Sequence, residues 1–370
     1  MNSTSAVQTS SRGRWPALLP ALAAAACLAL AACGDDDDEP AADASPQFTV
    51  SEIGPFGADT PNAVALSDAG LIAGMATRPD GTRYAYLLDG TTVSDLSAQV
   101  DGTFSPQAVN DAGRVVGQCL FNGVDDLEPG RACVVDRQSA RDLAASVGLS
   151  SVARDINAAG VIVGTAGFLP ETDDSLAEAF VLDAAGARTL GQLGGAYASA
   201  YAVDADGRAA GFAATSPGYG STGTHLVAFL HDGMRLRALG TLGGNQSVAL
   251  DIAAGRVTGW ANDAAGRTRA MRHDGMTMAD LGTPGNGASV GRGINAAGQV
   301  VGHYATPDGL ATRAFLHDGA RLHDLNDLLR PGSPPWPALT SAIAINTTGQ
   351  VLAASEGAGP ARYFLLTPVP

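Results

Sequence analysis

The sequence predicts an all-β protein, a closed ring of seven four-stranded blades (a β-propeller), on three observations. One short motif recurs seven times: "ALSDAGLIAG" (65–74), "AVNDAGRVVG" (108–117), "DINAAGVIVG" (155–164), "AVDADGRAAG" (202–211), "DIAAGRVTG" (251–259), "GINAAGQVVG" (293–302) and "AINTTGQVLA" (344–353). Its turn glycines, from Gly70 to Gly349, are spaced by 43, 47, 47, 48, 43 and 51 residues, which suits one propeller blade per copy. Each copy holds four strand-like segments, and the strand count balances only if the two ends of the chain share a blade.

The elements follow in a fixed order. An alternating segment runs into an Asn/Asp–x–Gly turn and then a β-branched run such as "QVVG", a strong hairpin signal because the turn needs positive φ. A third strand comes next ("YAYLLD", "ACVVD", "AFVLD", "AFLHD", "AMRHD", "AFLHD", "YFLLT"), then a fourth ("VSDL", "ARDL", "RTLGQLGG", "RALGTLGG", "MADLGTPG", "LHDLN"). The seventh fourth strand is missing after "ARYFLLTP" (361–368), but "FTVSEIGPFG" (48–57) has its pattern and stands before the first copy. The N-terminal segment is therefore expected to pair with the C-terminal blade, closing the ring and removing sheet edges that would template aggregation. Six or eight blades, or another closed repeat β architecture, are the alternatives.

Before the repeats, Arg12 and Arg14 precede the apolar run "WPALLPALAAAACLALAAC", of signal-peptide length. Its end, "LAAC" at 30–33, resembles a bacterial lipobox, which implies a signal peptide over 1–32 and lipidation of Cys33. Cys27 is a weaker candidate, since Ala24 rather than Leu precedes it by three, and an ordinary secreted protein cleaved near Ala32 is the simpler alternative. Several acyl chains on one Cys would hold the protein at a membrane. The following acidic, Pro-containing stretch gives residues 33–47 the composition of a solvated tether, leaving 48–370 as the repeat domain. The expected location is the cell envelope, at an outer membrane facing periplasm or cell surface. The chain carries −15 formal charge, and its 22 basic residues are all Arg without a basic run, which argues against nucleic-acid binding.

"RALGTLGG…SVALDI" and "AFLHDG", with the tail "DLNDLLRPGSPPWPALTSAIAINTTGQVLA" (324–353), resemble the extracellular HAF-repeat family over nearly all of 48–370. The His of that family's tripeptide is absent: Val227, Arg269 and Arg313 stand in its place. The fifth copy lacks the turn Asn, and Ala353 replaces the last hairpin's closing Gly. The resemblance implies export and a repetitive β fold, and no defined chemistry.

Candidate chemistry is sparse. His231, His273 and His317 align with Leu88, Val135, Leu182 and Leu366, so the position reads as packing that tolerates His, and the Asp after it as a turn former. "DADG" (204–207) resembles the start of a calcium loop but aligns with turns elsewhere. No nucleophile elbow, zincin helix, phosphate loop or paired-Cys zinc pattern is present, and no cofactor or metal is expected. Cys119 and Cys133 fall in the second and third strands of one blade and are disulfide candidates in an exported protein.

Departures from the repeat are more informative. Insertions at 119–130, 167–177 and 214–225 are second-to-third-strand loops of consecutive blades, and 327–339 is a fourth-to-first connection, so all four are expected on one face. They bring candidate binding residues Asp125, Asp126, Glu128, Phe168, Glu171, Asp173, Asp174, Tyr219 and Trp336. The expected function is a monomeric, non-catalytic binding scaffold for a protein or glycan. A glycan hydrolase or lyase using carboxylates of the long loops is the alternative, and a purely structural envelope protein the third reading. Two inward-facing carboxylates in the central funnel would favour the enzyme.

Overall fold

The computed structural model describes residues 47–122, 130–167, 177–216, 225–330, 336–357 and 359–369. Among these are seven four-stranded antiparallel sheets. Blade 1 runs Thr60–Leu66, Ile72–Thr77, Arg83–Asp89 and Thr92–Asp95, innermost strand first, and blades 2 to 6 repeat that order. Blade 7 takes Ser341–Ile345, Val351–Ser355 and Arg362–Pro368 from the C-terminus and Phe48–Ile53 from the N-terminus, as the strand count required. Phe48 pairs with Pro368 and Ile53 with Tyr363. Glu52 accepts two hydrogen bonds from Arg362, at 2.6 and 2.7 Å, across the closing pair.

The seven turn glycines have φ between 72° and 84°, the left-handed region that only Gly adopts without cost. The closing Gly of each hairpin has a different reason. Every innermost strand carries a bulge at one repeat position, as between Ala153 and Asp155, and in six blades a Gly of the second strand lies opposite the residue before it. A Cβ on Gly164 would lie 2.0 Å from the Val152 carbonyl and 2.9 Å from the Phe180 ring, which sits opposite it on the third strand. Gly164 is thus excluded from larger residues by backbone and aromatic together. Blade 7 keeps the bulge with Ala353 at this position.

The core is divided among the junctions between blades. Seven apolar clusters bridge seven neighbouring pairs, from Leu71, Leu87, Phe104 and Val115 between blades 1 and 2 to Ile72, Tyr86, Leu352 and Tyr363 between blades 7 and 1. The "AF" of the third strand supplies the centre: Tyr86, Phe229, Phe315 and Phe364 are fully buried, with Cys133 and Met271 at the same place in blades 2 and 5. A flat sheet offers one such face to each neighbour, so no blade completes a core alone.

Cys119 and Cys133 are joined in the structure, with Cα atoms 5.9 Å apart. They are diagonal neighbours and not directly opposite: Cys119 faces Arg131, and Cys133 faces Gly117. The second strand of blade 2 extends to Phe121, which carries Cys119 inside the sheet and starts the insertion later than its expected start at 119.

Candidate functional site

The Asn–x–x–Gly turns surround one mouth of the central channel and do more than turn. Asn110, Asn157, Asn295 and Asn346 are buried. Their Oδ1 atoms accept backbone N–H groups of their own turns, as from Val161 to Asn157 at 2.9 Å. Their Nδ2 groups donate to the carbonyl of the aligned residue in the next blade: Asn110 to Asn157 (3.1 Å), Asn157 to Asp204 (2.9 Å), Asn295 to Asn346 (3.3 Å) and Asn346 to Ser67 (3.2 Å). Asp204 has no N–H to give, and its partner is instead a donor, the Gly255 amide at 3.0 Å. In blade 5, which lacks the Asn, Arg256 reaches the Ala296 carbonyl at 3.1 Å. Asp111 accepts from Ala69 across the first junction. Every junction therefore has its own polar latch, and "DADG" serves as one of them.

The histidines that invite a metal or catalytic reading are turn caps. Nδ1 of His231, His273 and His317 accepts the N–H of Gly233, Gly275 and Gly319 at 3.1, 3.0 and 3.1 Å. The packing position expected here holds, all three being buried, and the bond adds a cap that needs a neutral imidazole with the proton on Nε2. Burial lowers all three pKa values from the ordinary His range and so favours that form. The following Asp232, Asp274 and Asp318 each accept two backbone N–H groups of the turn, as expected.

The channel is the larger cavity, about 540 Å³. The seven bulge residues, Val64, Gln107, Arg154, Tyr201, Leu250, Arg292 and Ile343, line it at one level. Beside them lie two carboxylates, Asp155 and Asp251. Desolvation pushes Asp155 up to about 6 and Asp251 up to about 7, the latter helped by the charge of Asp155. Each also spans a junction: Asp155 accepts from Ile156 and from Val203 of the next blade, both at 2.8 Å, and Asp251 from Ile252 (2.8 Å) and Ile294 (2.7 Å). Both oxygens of each group are thus engaged by backbone.

A second cavity of about 410 Å³ opens between blades 2 and 3, lined by Ser105, Gln107, Gln118, Gly130, Ser150, Ser151, Val152, Arg154, Thr165 and Tyr197. Gly130 immediately precedes a third strand, Ser151 begins an innermost strand and Thr165 lies near the end of a second strand, so the pocket is on the insertion-bearing face. Gln107 and Arg154 line both cavities. Arg154 donates from Nη1 to Gln107 Oε1 at 3.2 Å, and its guanidinium lies 5.1 Å from the Tyr201 ring centre. Tyr201 and Tyr197 both pack on Phe212, at 5.6 and 5.5 Å, so aromatic rings connect channel and pocket.

Of the residues expected on this face, Asp125, Asp126, Glu128, Phe168, Glu171, Asp173, Asp174 and Tyr219 lie outside the described residues, as does Cys33. Trp336 is half-buried and meets Phe364 edge-on at 5.5 Å, with Arg362 at 5.7 Å, so its indole belongs to the packing of blade 7. Asp155, Asp251 and the seven bulge residues were not singled out by the motif search. Their signal was present: the position just before each motif runs Val, Gln, Arg, Tyr, Leu, Arg, Ile, and such variation inside a strict repeat marks side chains freed from the packing rule.

No family model matches the chain, and no curated protein matches it. Solved structures do. The β-propeller domain of the trilobed protease from Pyrococcus furiosus is 14% identical with a TM-score of 0.50, over 75% of this chain and 84% of that one. A Mycobacterium tuberculosis puromycin-hydrolyzing peptidase is 15% identical with a TM-score of 0.50, over 85% of this chain and 53% of that one. A Pyrococcus horikoshii acylaminoacyl peptidase is 14% identical with a TM-score of 0.45, over 72% and 44%. The chain thus spans about half the length of those two peptidases. At such identities the likeness shows the propeller fold alone.

Proposed function

We propose that this chain is an envelope-anchored member of the HAF-repeat type whose propeller binds a glycan without catalysis, at the pocket between blades 2 and 3. The pocket's lining carries the reading. Among the described residues the pocket is lined by hydroxyls of Ser105, Ser150, Ser151 and Thr165, by amides of Gln107 and Gln118, and by one aromatic, Tyr197. Of these, Ser151 is also bonded to Gly148 and Ala132, Thr165 to Ser199, Gln118 to the Ser151 carbonyl and Gln107 to Arg154. Such a lining suits a polyol, which needs many short hydrogen bonds and a flat surface for its C–H face. A protein partner would favour a desolvated apolar anchor pocket, and Val152 is the one aliphatic side chain here among the described residues. Export and anchoring through Cys33 rest on the lipobox and the acidic tether.

The test is a glycan array probed with the purified full chain. Binding to one saccharide class, competed by the free sugar and weakened at least tenfold by Tyr197→Ala, is expected. Absence of any glycan signal while a polypeptide is captured would overturn the reading. Palmitate labelling that persists in Cys33→Ser would overturn the anchor.

A hydrolase is the second reading, favoured by the raised pKa values of Asp155 and Asp251 in the channel. Their backbone hydrogen bonds favour a latch instead. Appearance of cleaved products from a bound oligosaccharide, lost in Asp251→Ala, would decide for hydrolysis.

A further inference from the structure

Arg154 occupies an unusual place. Among the described residues it is the one charged residue lining the pocket between blades 2 and 3. Its guanidinium is fixed from two sides, by the Gln107 amide oxygen on Nη1 and by the Tyr201 ring against its face. No carboxylate lies within ion-pair distance of it among the described residues, whereas the arginines at positions 78, 131, 188, 267, 269 and 362 each have one. Its Nε is shut off from solvent and has no acceptor. Asp155, its neighbour in sequence, is committed to the amides of Ile156 and Val203.

An oriented cation with an unsatisfied, buried N–H is costly to a fold, and the fold does not require it here. The same bulge position holds Val64, Gln107, Tyr201, Leu250, Arg292 and Ile343 in other blades, five of the six uncharged and all compatible with the bulge. With Nη1 taken by Gln107 and Nε closed off from solvent, Nη2 is the donor left for a ligand, and an N–H of a cation that lacks a counter-ion favours a carboxylate. We infer that Arg154 is the carboxylate receptor of this pocket, and that its ligand is an acidic oligosaccharide whose uronate-type carboxylate docks on Arg154 while its hydroxyls meet the Ser, Thr and Gln lining. This rests on the glycan-binding reading and narrows it to one chemical class.

The insertions preceding Gly130 and following Thr165 in sequence carry six acids, outside the described residues, so a cationic sugar is the competing ligand. Calorimetric titration of the full chain with three probes separates the outcomes: a galacturonic acid oligomer, the same oligomer as its neutral methyl ester, and a glucosamine oligomer. The acid is expected to bind at least tenfold more tightly than the ester, with the glucosamine oligomer weakest. In Arg154→Gln, which copies the residue of blade 2, the preference for acid over ester should fall below threefold. Arg154→Lys should recover part of it, keeping the charge without the planar guanidinium. Equal binding of acid and ester, a preference for the glucosamine oligomer, or an unchanged preference in Arg154→Gln would overturn the carboxylate assignment and leave glycan binding standing. Failure of all three probes, with a positive signal for other sugars on the array, would overturn it too. Failure of every sugar would overturn both.

Discussion

The turn residue Asn157 shows how one side chain can serve two bodies. Its Oδ1 closes its own hairpin and its Nδ2 holds the next blade, and only Asn offers acceptor and donor at that length. Asp204 inverts the second half of the arrangement because its partner is an N–H. Asn157→Asp should therefore set a carboxylate oxygen against the Asp204 carbonyl and cost roughly 2 kcal/mol in urea unfolding, from a lost bond and an unsatisfied pair. Asp204→Asn, facing the Gly255 amide with a donor, should cost a similar amount, whereas a simple turn-propensity account predicts almost none for either. Asp251 belongs to the same scale. Its folded pKa of about 7 lies above the unfolded value near 3.9, so the folded state holds the extra proton between these limits. Stability carried by this group is present at low pH and is lost as pH rises through about 7. Relative to Asp251→Ala, the wild type should gain stability from pH 7.5 to pH 5, at up to about 1.4 kcal/mol per pH unit. A flat difference across that range would contradict the burial of this carboxyl.

At the scale of the element, the third-to-fourth-strand turns titrate in the opposite sense. The buried imidazoles of His231, His273 and His317 have lowered pKa values, so the unfolded chain takes up protons first as pH falls below about 6.5. Stability held by these caps is full above that value and is lost on acidification. Replacing all three by Leu, the residue of blades 1, 3 and 7 at this position, should reduce the fall in melting temperature between pH 7 and pH 5. An unchanged fall would mean the Nδ1 bonds carry no weight. The hairpin of blade 2 holds another element-scale device, the Cys119–Cys133 link across a separation of 14 residues. Loop-closure entropy for a loop of that size is about 3 kcal/mol. The Cys119→Ala/Cys133→Ala pair should lower stability by at most this amount, and alkylation of the folded protein should find no free thiol at either position.

For the whole molecule, closure is the decisive interaction. Phe48–Ile53 covers the outer edge of Arg362–Pro368, and Phe48 also lies in the cluster between blades 6 and 7. Deleting 47–53 should leave an unpaired edge and a hole beside Phe364. The expected result is association in light scattering and an unfolding curve that splits into more than one transition, since blades would then fray from the open junction. A monomer with a single transition would show that the inter-blade clusters hold the ring without it.

The blade count, the strand order and the exchange of the N-terminal strand were legible in the linear repeat, because each depends on local hairpin chemistry and on counting. The turn Asp residues were legible for the same reason: their bonds span two or three residues. The dual role of Asn157, the cap on the "HDG" turn and the diagonal register of the cysteines were not, since each depends on a backbone group whose place is set by the neighbouring strand or blade. Arg154 and Asp251 went unread because they sit at positions where the repeat varies, and only ring closure turns seven unrelated bulge residues toward one axis. The sequence by itself thus determined the scaffold through short-range backbone rules. Which side chains share a cavity was decided by tertiary structure, where residues about 47 positions apart in the chain become neighbours around the channel.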